Sequence, residues 1–372
     1  MTNRSIAHAR LRNSRLVGPP LATPEEVVRW FGAIQSQDVP GALWAIAQRL
    51  PPGQTIDELG VAMDAGRFVR THGPRPTWHF IHPADLRWIL SLVGPRVEQS
   101  MAGLARRLGL GADEMARGQA AMEAALTGGA ALTRAQLRDV VAAIGIDASE
   151  PLVTGVIGIR AEVRAVLCNG PRRGKQTTFV LVDDWVPRAA PLAPADALRE
   201  LTIRYFTSHG PALAHDMAWW SGLTVGSVRE GIGLGGEALE GRRVDGKDYW
   251  AAVGAFDPQP GLVVEPSVLL LPNYDEGLAS YADYSPALAD SLPPPNWVND
   301  ALGAHIVVRD GLVVGGWRRA LGRDRVTVTV TLLVPLTPPE LDALDAAAAA
   351  FGRFVGLPVD LRVEAASLRA GG

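Results

Sequence analysis

The same order of elements occurs three times along the chain: two or three helices, then a β-hairpin. In residues 131–187, "LTRAQLRDVVAAIG" has the start signal and apolar spacing of a helix, and "TGVIGIRAEVRAVL" predicts a second helix. A hairpin follows, with "CNGPRRGKQ" at its tip and the β-branched and aromatic run "TTFVLVDDW" as its second strand. Two helices and a hairpin with a basic tip form the outline of a winged helix-turn-helix.

Residues 194–253 repeat this order. Three helices are predicted there, the first closed by Gly210, the second closed by Gly222 and the third capped by Thr224. The "DG" of "LEGRRVDGKDYWAAV" is a hairpin turn signal. The N-terminal region fits as well, with helices predicted up to Ile34, in "GALWAIAQRL" and in "TIDELGVAMDAG", before the strand, loop and strand of "RFVRTHGPRPTWHFIHP".

Beyond the third unit the pattern changes to strands. Runs of β-branched residues alternate with turn residues, an Ala-rich helix is predicted in "PPELDALDAAAAAFGRFVG", and the proline cluster "SLPPPNW" is predicted to be a loop. The predicted fold is α+β. We expect three tandem winged helix-turn-helix units over residues 1–100, 101–190 and 191–258, and a C-terminal β-rich domain over residues 259–372.

The composition is that of an ordinary globular protein, with 47% hydrophobic residues, 20% charged residues and a formal net charge of −3. The N-terminus lacks the continuous apolar core of a secretory signal, and no run approaches the ~20 apolar residues of a membrane span. The single cysteine, Cys168, excludes an internal disulfide and a multi-cysteine zinc site. These features predict a cytoplasmic protein without a membrane partner.

Arginine dominates the 36 basic residues, since Lys175 and Lys247 are the only lysines. Codon bias in a GC-rich genome is one interpretation, and the fit of guanidinium groups to phosphate oxygens is another. Tandem winged helices favour nucleic acid, and both basic hairpin tips fall at the same place in the repeat. The candidate DNA contacts are Arg172, Arg173 and Lys175 on one tip, Arg242, Arg243 and Lys247 on the other, Arg12 in the acid-free N-terminal segment, and Arg318 and Arg319 after "GGW". Solvated turns are the alternative.

The sequence predicts no metal or cofactor site. The "HFIH" stretch lacks a third ligand, and His79, between two aromatic residues on a predicted strand, is typical of a core histidine. The GxSxG, Walker and dinucleotide-binding motifs are absent. The "GIGLGG" that begins at Gly231 follows a helix rather than a strand, so it is predicted to be a loop.

The stretch "AIQSQD" places two glutamines where a predicted buried helix meets a turn. A carboxamide does not titrate, so Gln35 and Gln37 cannot act as ordinary general bases, but each can hold a water molecule. That is sufficient when the leaving group departs almost unaided, as a cationic N7-alkylated purine does. Asp38 would then orient the water or stabilise a cationic sugar. The alternative is that Gln35 caps its helix while Gln37 and Asp38 only build the turn.

Other polar residues are candidates for the same cavity. They are Arg75, Thr77 and His79 in the first predicted hairpin, and Asn273 and Asp275 after the apolar run "SVLLL". Structural packing and an ordinary loop turn are the alternatives for these residues. Trp219 and Trp220 are predicted to lie in the core, since "DMAWWSGL" is typical of a buried helix end.

Five motifs resemble, in order, those of the AlkZ/YcaQ-type winged-helix DNA glycosylases, whose best-known member confers self-resistance to azinomycin. The motifs are "GAIQSQD", "RPTWHFIHPADLRW", "HGPALAHDMAWWSGL", "LLPNYDE" and "VVRDGLVVGGWRR". The resemblance extends from about Arg10 to Leu333. It implies three tandem winged helices and a β-rich element that together form a concave DNA-binding surface.

The resemblance also implies a site and an activity. The family's Gln-x-Gln catalytic motif maps onto Gln35 and Gln37, although the middle residue, usually apolar, is Ser36 here. The implied reaction is monofunctional excision of bulky N7-alkylguanine or N3-alkyladenine adducts from double-stranded DNA, extending to natural-product self-resistance or crosslink unhooking. Neither a metal, an organic cofactor nor an obligatory protein partner is implied.

Two other classes stay open on the sequence alone. A non-catalytic winged-helix transcriptional regulator explains the helical units and basic tips but gives no use for two buried amides. A scaffold with degenerate motifs would use the amides only to satisfy backbone groups. Salt-dependent DNA binding separates the scaffold from the other two classes, and base release separates a glycosylase from both.

Overall fold

The computed structural model describes residues 2–257, 267–288 and 305–365. Within these residues, helices combine with three three-stranded sheets and one five-stranded sheet. In each three-stranded sheet a short strand pairs with the second strand of the hairpin that follows it. The predicted mixture of helices and strands is confirmed. The predicted "SLPPPNW" loop lies outside the described residues.

The first sheet, with strand order β1-β3-β2, lies in the N-terminal region. The elements of this region are α1 (Asn3–Asn13), α2 (Pro24–Phe31), β1 (Ala33–Gln35), α3 (Val39–Ala47), α4 (Ile56–Asp64), β2 (Val69–His72), β3 (Trp78–Ile81) and α5 (Pro83–Arg107). Thr23 caps α2 by accepting a hydrogen bond from the Glu26 N–H, and Thr55 caps α4 in the same way. The starts of these two helices are therefore determined by residues within the first helical turn.

The helix predicted to continue to Ile34 ends earlier. α2 stops at Phe31 because Gly32 adopts a φ of +79°, which a helix cannot continue through, and Ala33–Gln35 pair with β3 instead. Ile34 is buried in either conformation, so a short apolar spacing could not separate helix from strand. Gln35 thus ends a strand, and the interpretation of Gln35 as a helix cap is wrong.

The second and third sheets repeat the strand order of the first, as β4-β6-β5 and β7-β9-β8. The elements of the second region are α6 (Ala112–Leu126), β4 (Leu132–Thr133), α7 (Arg134–Ala143), α8 (Pro151–Val163), β5 (Leu167–Arg173), β6 (Gln176–Leu181) and α9 (Val182–Trp185). Those of the third are α10 (Pro194–Ser208), β7 (Ala212–Leu213), α11 (Ala214–Ser221), α12 (Val225–Gly235), β8 (Leu239–Val244) and β9 (Lys247–Ala252). Asp245 and Gly246 turn the last hairpin with positive φ values of 49° and 78°, as "DG" predicted.

Two local predictions in the third region are wrong. "GIGLGG" is not a loop, because α12 continues to Gly235 with Val228 and Ile232 buried one turn apart. Gly231 is needed there, since a Cβ at that position would collide with the Thr202 hydroxyl on α10. Trp220 is fully buried as predicted, whereas Trp219 is 47% exposed. The helix α11 turns its two tryptophans in different directions.

The C-terminal region forms the five-stranded sheet, with strand order β10-β11-β12-β13-β14. Its elements are β10 (Val268–Leu271), β11 (His305–Arg309), β12 (Leu312–Leu321), β13 (Val326–Leu332), α13 (Pro338–Val355) and β14 (Val359–Ala365). The last strand pairs in parallel with β13, as the intervening helix allows, and the other pairs are antiparallel. The predicted Ala-rich helix is confirmed as α13.

Two hydrophobic cores meet at α2 and β1. One core packs the N-terminal helices against the C-terminal sheet and includes Phe31, Trp44 and Phe351. The other includes Ala33 of β1 and joins α5 to the third region through side chains such as Leu201. Each fully buried large side chain stabilises the fold by about 1.5–3 kcal/mol. The end of β1 is therefore packed between the two cores. No helix among the described residues is long and apolar enough to cross a membrane.

Candidate active site

The candidate site is the connection between β1 and α3, residues Ser36, Gln37 and Asp38. Sheet pairing continues past β1, because the Ser36 N–H donates to the Trp78 carbonyl over 2.7 Å. The carbonyl of Ser36 accepts a hydrogen bond from Arg70 Nε over 3.1 Å. β1 ends at Gln35, and Gln37 follows two residues later in a bend of the chain.

Gln35 is held by its backbone and by its side chain. Its N–H donates to Glu276 Oε1 over 2.7 Å, and its side-chain Oε1 accepts a hydrogen bond from an Arg75 guanidinium nitrogen over 3.1 Å. The residue is 8% exposed. The carboxamide is therefore fixed in orientation at the edge of the surface.

Gln37 and Asp38 are more accessible. Gln37 is exposed, and its Oε1 accepts a hydrogen bond from the Trp78 N–H over 3.3 Å. Asp38 occupies the N-cap position of α3, yet its side chain makes no capping hydrogen bond. It accepts one from Arg319 over 2.8 Å instead. The hydroxyl of Ser36 is fully buried and has no hydrogen-bond partner among the described residues.

Arg75 lies beside Gln35 in an unusual conformation. Its φ is +63°, which is uncommon for a residue with a side chain, and such strain concentrates at functional sites. Its guanidinium lies 5.1 Å from the ring centre of Trp219, the tryptophan that the sequence had wrongly placed in the core. Burial lowers the pKa of Arg75, and attraction to Glu276 opposes this effect.

His79 is buried behind Gln35 and pairs with it across the sheet. Its Nδ1 donates to the Thr77 carbonyl over 2.9 Å, and its Nε2 has no partner among the described residues. Burial lowers the pKa of His79 to about 4, so the ring is neutral at neutral pH. The Thr77 hydroxyl makes a long contact of 3.5 Å with the Pro74 carbonyl and does not contact the glutamines.

Two neighbouring acids after β10 have different partners. Asp275 receives two hydrogen bonds from buried Arg49, over 2.8 and 2.9 Å, and makes none to Gln35 or Gln37. Glu276, which was not among the residues predicted from the sequence to line the cavity, accepts a hydrogen bond from the Gln35 N–H. The polar run "PNYDE" directly after a buried strand was a signal for this position, but it could not indicate which acid faces the glutamines.

The C-terminal sheet supplies a second group of contacts. The Asn273 N–H donates to His305 Nδ1 over 3.0 Å, and the His305 ring lies 4.7 Å from that of Trp317. Burial and the nearby Arg319 lower the pKa of His305 to about 4. Arg319, which holds Asp38, lies two residues beyond Trp317 on β12 and so on the same side of the sheet. Arg318 points the other way and is exposed.

Most of the predicted DNA-contacting cations are engaged within the protein. Their partners are Asp64 for Arg172, the Ala131 carbonyl for Arg173, Glu240 and Asp257 for Arg242, Asp248 for Arg243, Asp283 for Lys247 and the Ala255 carbonyl for Arg12. Among the described residues, Lys175 and Arg318 have no ion-pair or hydrogen-bond partner. Exposed ion pairs contribute little to stability, so phosphate can compete for these cations.

A cleft of about 250 Å³ lies next to the motif, between the first and second sheets. It is lined by Val39 and Pro40, which directly follow Asp38, and by Arg70, Asn169 and Lys175. Arg70 donates to Asn169 Oδ1 over 3.0 Å and to the Ser36 carbonyl, so the same side chain belongs to the cleft and supports the motif.

The comparisons with known proteins identify the class. A family model described as DNA glycosylase AlkZ-like matches residues 28–354, so the chain is a DNA glycosylase, an enzyme that hydrolyses N-glycosyl bonds in DNA. It belongs to the AlkZ-like family. Among solved structures, the DNA glycosylase AlkZ of Streptomyces sahachiroi is similar with a TM-score of 0.78, over 97% of this chain and 99% of that one. The two are 22% identical, which shows a shared fold.

No curated protein matches the sequence. The family membership confirms the resemblance inferred from the five motifs, and it favours an enzyme over a non-catalytic regulator. Among the described residues, no group of three or more histidine, cysteine, aspartate or glutamate side chains is arranged to bind a metal ion.

Proposed function

We propose that this glycosylase is monofunctional and excises bulky N7-alkylguanine or N3-alkyladenine adducts from double-stranded DNA, with Gln35 and Gln37 as its catalytic pair. Natural-product self-resistance and the unhooking of interstrand crosslinks are the roles that such an activity would serve. The observation that carries the proposal is the placement of two carboxamides two residues apart at the end of β1, with their oxygens hydrogen-bonded to Arg75 and to the Trp78 N–H.

The two carboxamides are suited to holding water. A carboxamide oxygen has two lone pairs, so Gln35 Oε1 and Gln37 Oε1 each retain one after accepting their N–H donors. A water molecule that donates to both oxygens keeps its own lone pairs free to attack. The nearby Asp38 carboxylate favours the positive charge that develops on the sugar.

The reaction balances without an added acid. The water oxygen bonds to the sugar C1′, the bond from C1′ to the purine breaks, and its electron pair neutralises the cationic alkylated base. The water loses one proton to solvent, and an abasic site remains. Because the leaving group is already cationic, positioning of water and stabilisation of an oxocarbenium-like sugar supply most of the catalysis.

A bulky adduct that fills a groove is difficult to rotate out of the helix. We therefore propose that the lesion is processed in place beside the two glutamines and Arg75, without full extrusion into a tight pocket. A structure with lesion DNA in which the damaged nucleotide has swung fully out would contradict this part of the proposal.

We also propose that the three helix and sheet groups are tandem winged helix-turn-helix units, divided near residues 100, 190 and 258, and that they form a concave surface for DNA with the C-terminal region. The repeated strand order of the three small sheets supports this arrangement. Lys175 and Arg318 are then available to phosphate directly, and Arg12, Arg172, Arg173, Arg242, Arg243, Lys247 and Arg319 would exchange or share their present partners.

The test is release of 7-methylguanine and of a bulky N7-guanine adduct from duplex DNA by the wild type, Gln35→Ala and Gln37→Ala. We expect each variant to lose about 100-fold in rate at saturating enzyme, with DNA affinity retained. Wild-type binding without release of either base would overturn the proposed substrate. Full activity in both variants would overturn the assignment of the glutamines.

A further inference from the structure

Glu276 is a buried acid that the mechanism above does not use. It is 2% exposed and lies at the start of the loop after β10, 241 residues from its partner Gln35 in the sequence. A buried carboxylate is costly unless several donors surround it. The donors around this carboxylate therefore indicate its role.

Four donors surround the carboxylate, and they come from three parts of the chain. Oε1 accepts the Gln35 N–H over 2.7 Å, whereas Oε2 accepts the Trp220 Nε1–H over 3.0 Å and the hydroxyl of Ser280. The Nε2 of His209 lies 3.2 Å from Oε2. An ionised carboxylate only accepts hydrogen bonds, so His209 carries its hydrogen on Nε2.

The carboxylate remains ionised in spite of its burial. Burial alone would raise the pKa of Glu276, but the hydrogen bonds from His209, Ser280 and the Gln35 N–H lower it to about 2. A fixed negative charge thus lies directly behind the backbone of Gln35 across the whole physiological range of pH.

The geometry points to Glu276 as the positioning residue of Gln35. One carboxylate oxygen fixes the backbone of β1 at Gln35, and the other is locked by Trp220, His209 and Ser280, so the strand end cannot shift. On the other side, Arg75 fixes the carboxamide oxygen of the same residue. This inference rests on the proposed role of Gln35.

The charge of Glu276 adds an electrostatic consequence. In the free protein its field attracts the guanidinium of Arg75, which donates a hydrogen bond to the Gln35 carboxamide oxygen. In the transition state the positive charge moves from the alkylated base to the sugar, and the field of Glu276 favours this transfer relative to the bound substrate. Removing the charge should therefore slow the chemical step more than it weakens DNA binding.

The experiment compares Glu276→Gln with a matched control, Glu162→Gln. Glu162 is also a buried glutamate, 1% exposed and 2.6 Å from the Nδ1 of His72, but it makes no hydrogen bond to Gln35, Ser36 or Gln37. Both changes replace a buried carboxylate by an amide of the same size beside a histidine. Single-turnover release of 7-methylguanine is measured at saturating enzyme, together with the Kd for lesion DNA.

We expect Glu276→Gln to lower the single-turnover rate about 100-fold with the Kd changed less than about threefold, and Glu162→Gln to leave the rate unchanged. Glu276→Asp, which keeps the charge, should recover part of the rate. If Glu276→Gln fails to fold, Ser280→Ala removes one donor to the carboxylate and should lower the rate about fivefold.

An unchanged rate in the folded Glu276→Gln variant, or in Ser280→Ala if that variant replaces it, would overturn the inference. Equal losses in Glu276→Gln and Glu162→Gln would do the same, since they would indicate a general effect on folding. An inactive wild type would instead overturn the proposed function, so the two failures are distinguishable.

Discussion

The first sheet differs from the second and third at the junction between its short strand and the next helix. In the second sheet β4 leads directly into α7, and in the third sheet β7 leads directly into α11. In the first sheet three residues, Ser36–Asp38, separate β1 from α3. The three sheets otherwise share one strand order, so the extra residues are a local departure within a repeated plan.

The junctions also differ in how they use polar side chains. In the second, Thr133 and Gln136 satisfy each other's backbone N–H groups in a capping box. In the third, Asp216 accepts the Leu213 N–H. In the first, the glutamines and Asp38 cap no helix. The polar side chains of the first junction are therefore not used to cap the next helix, and on the proposed function they serve the reaction instead.

The strongest test of this comparison is the double variant Gln35→Ala/Gln37→Ala against Gln136→Ala. We expect the double variant to lose about 1,000-fold in base release, less than the product of the single losses because both amides act on one water. Gln136→Ala should keep the wild-type rate and lose about 1 kcal/mol of stability. Loss of base release in Gln136→Ala would break the comparison.

A second difference is acid sensitivity. Gln35 pairs across its sheet with His79, whereas the corresponding residues Thr133 and Leu213 pair with Thr178 and Tyr249. Burial lowers the pKa of His79 from 6.5 to about 4, so between these values the unfolded chain binds more protons than the folded one. Its contribution to stability is complete above pH 6.5 and is lost as the pH falls towards 4.

This contribution amounts to about 3 kcal/mol at most. Urea unfolding at pH 7 and pH 4 should therefore show a loss of stability that is smaller by about that amount in His79→Asn than in the wild type. Identical losses in the two proteins would show that the first sheet is no more sensitive to acid than the others.

Asp38 accepts a hydrogen bond from Arg319 instead of capping α3, and substitution of Arg319 tests the importance of this contact. Arg319→Ala should lower base release about tenfold, because Asp38 loses the group that orients it beside the glutamines. Arg309→Ala is the control, since Arg309, on β11 of the same sheet, forms a comparably buried ion pair with Glu340 of the following helix. Single-turnover rates and DNA affinity are measured for both variants. Equal losses of rate in the two variants would show that the contact between Arg319 and Asp38 has no specific role in the reaction.

The smallest expected effect lies at the second junction. Thr133→Ala removes the N-cap of α7 and should cost about 1 kcal/mol of unfolding free energy, with base release unchanged. Thermal unfolding combined with a base-release assay measures both quantities. A slower reaction in this variant would indicate that the second junction also supports the site.

Local sequence signals predicted much of the fold. Caps such as Thr55 and Thr133, and the "DG" turn at Asp245, determine structure through neighbours within four residues, so they can be recognised directly. β1 was not predicted because a short apolar stretch around a buried residue such as Ile34 fits a helix as well as a strand. The sequence thus singled out the motif as a candidate site but did not predict its secondary structure.

The contacts around the motif could not be predicted in the same way. Glu276 and Asp275 are adjacent and chemically similar, and the packing of distant elements decides that one faces Gln35 and the other Arg49. Asp64, which pairs with Arg172, and Asp257, one of the two acids that pair with Arg242, lie outside the hairpins that carry these arginines. No local pattern encodes such pairs.

The long sequence separation within the site has a consequence for synthesis on the ribosome. Gln35 emerges early, but Glu276 follows 241 residues later and Arg319 follows Asp38 by 281 residues. At about 5–20 residues per second, this interval is roughly 10–50 s. A nascent chain therefore carries Gln35 and Asp38 for most of its translation without Glu276 and Arg319. On the proposed function, the site is complete and able to excise a base only when the C-terminal sheet has been made.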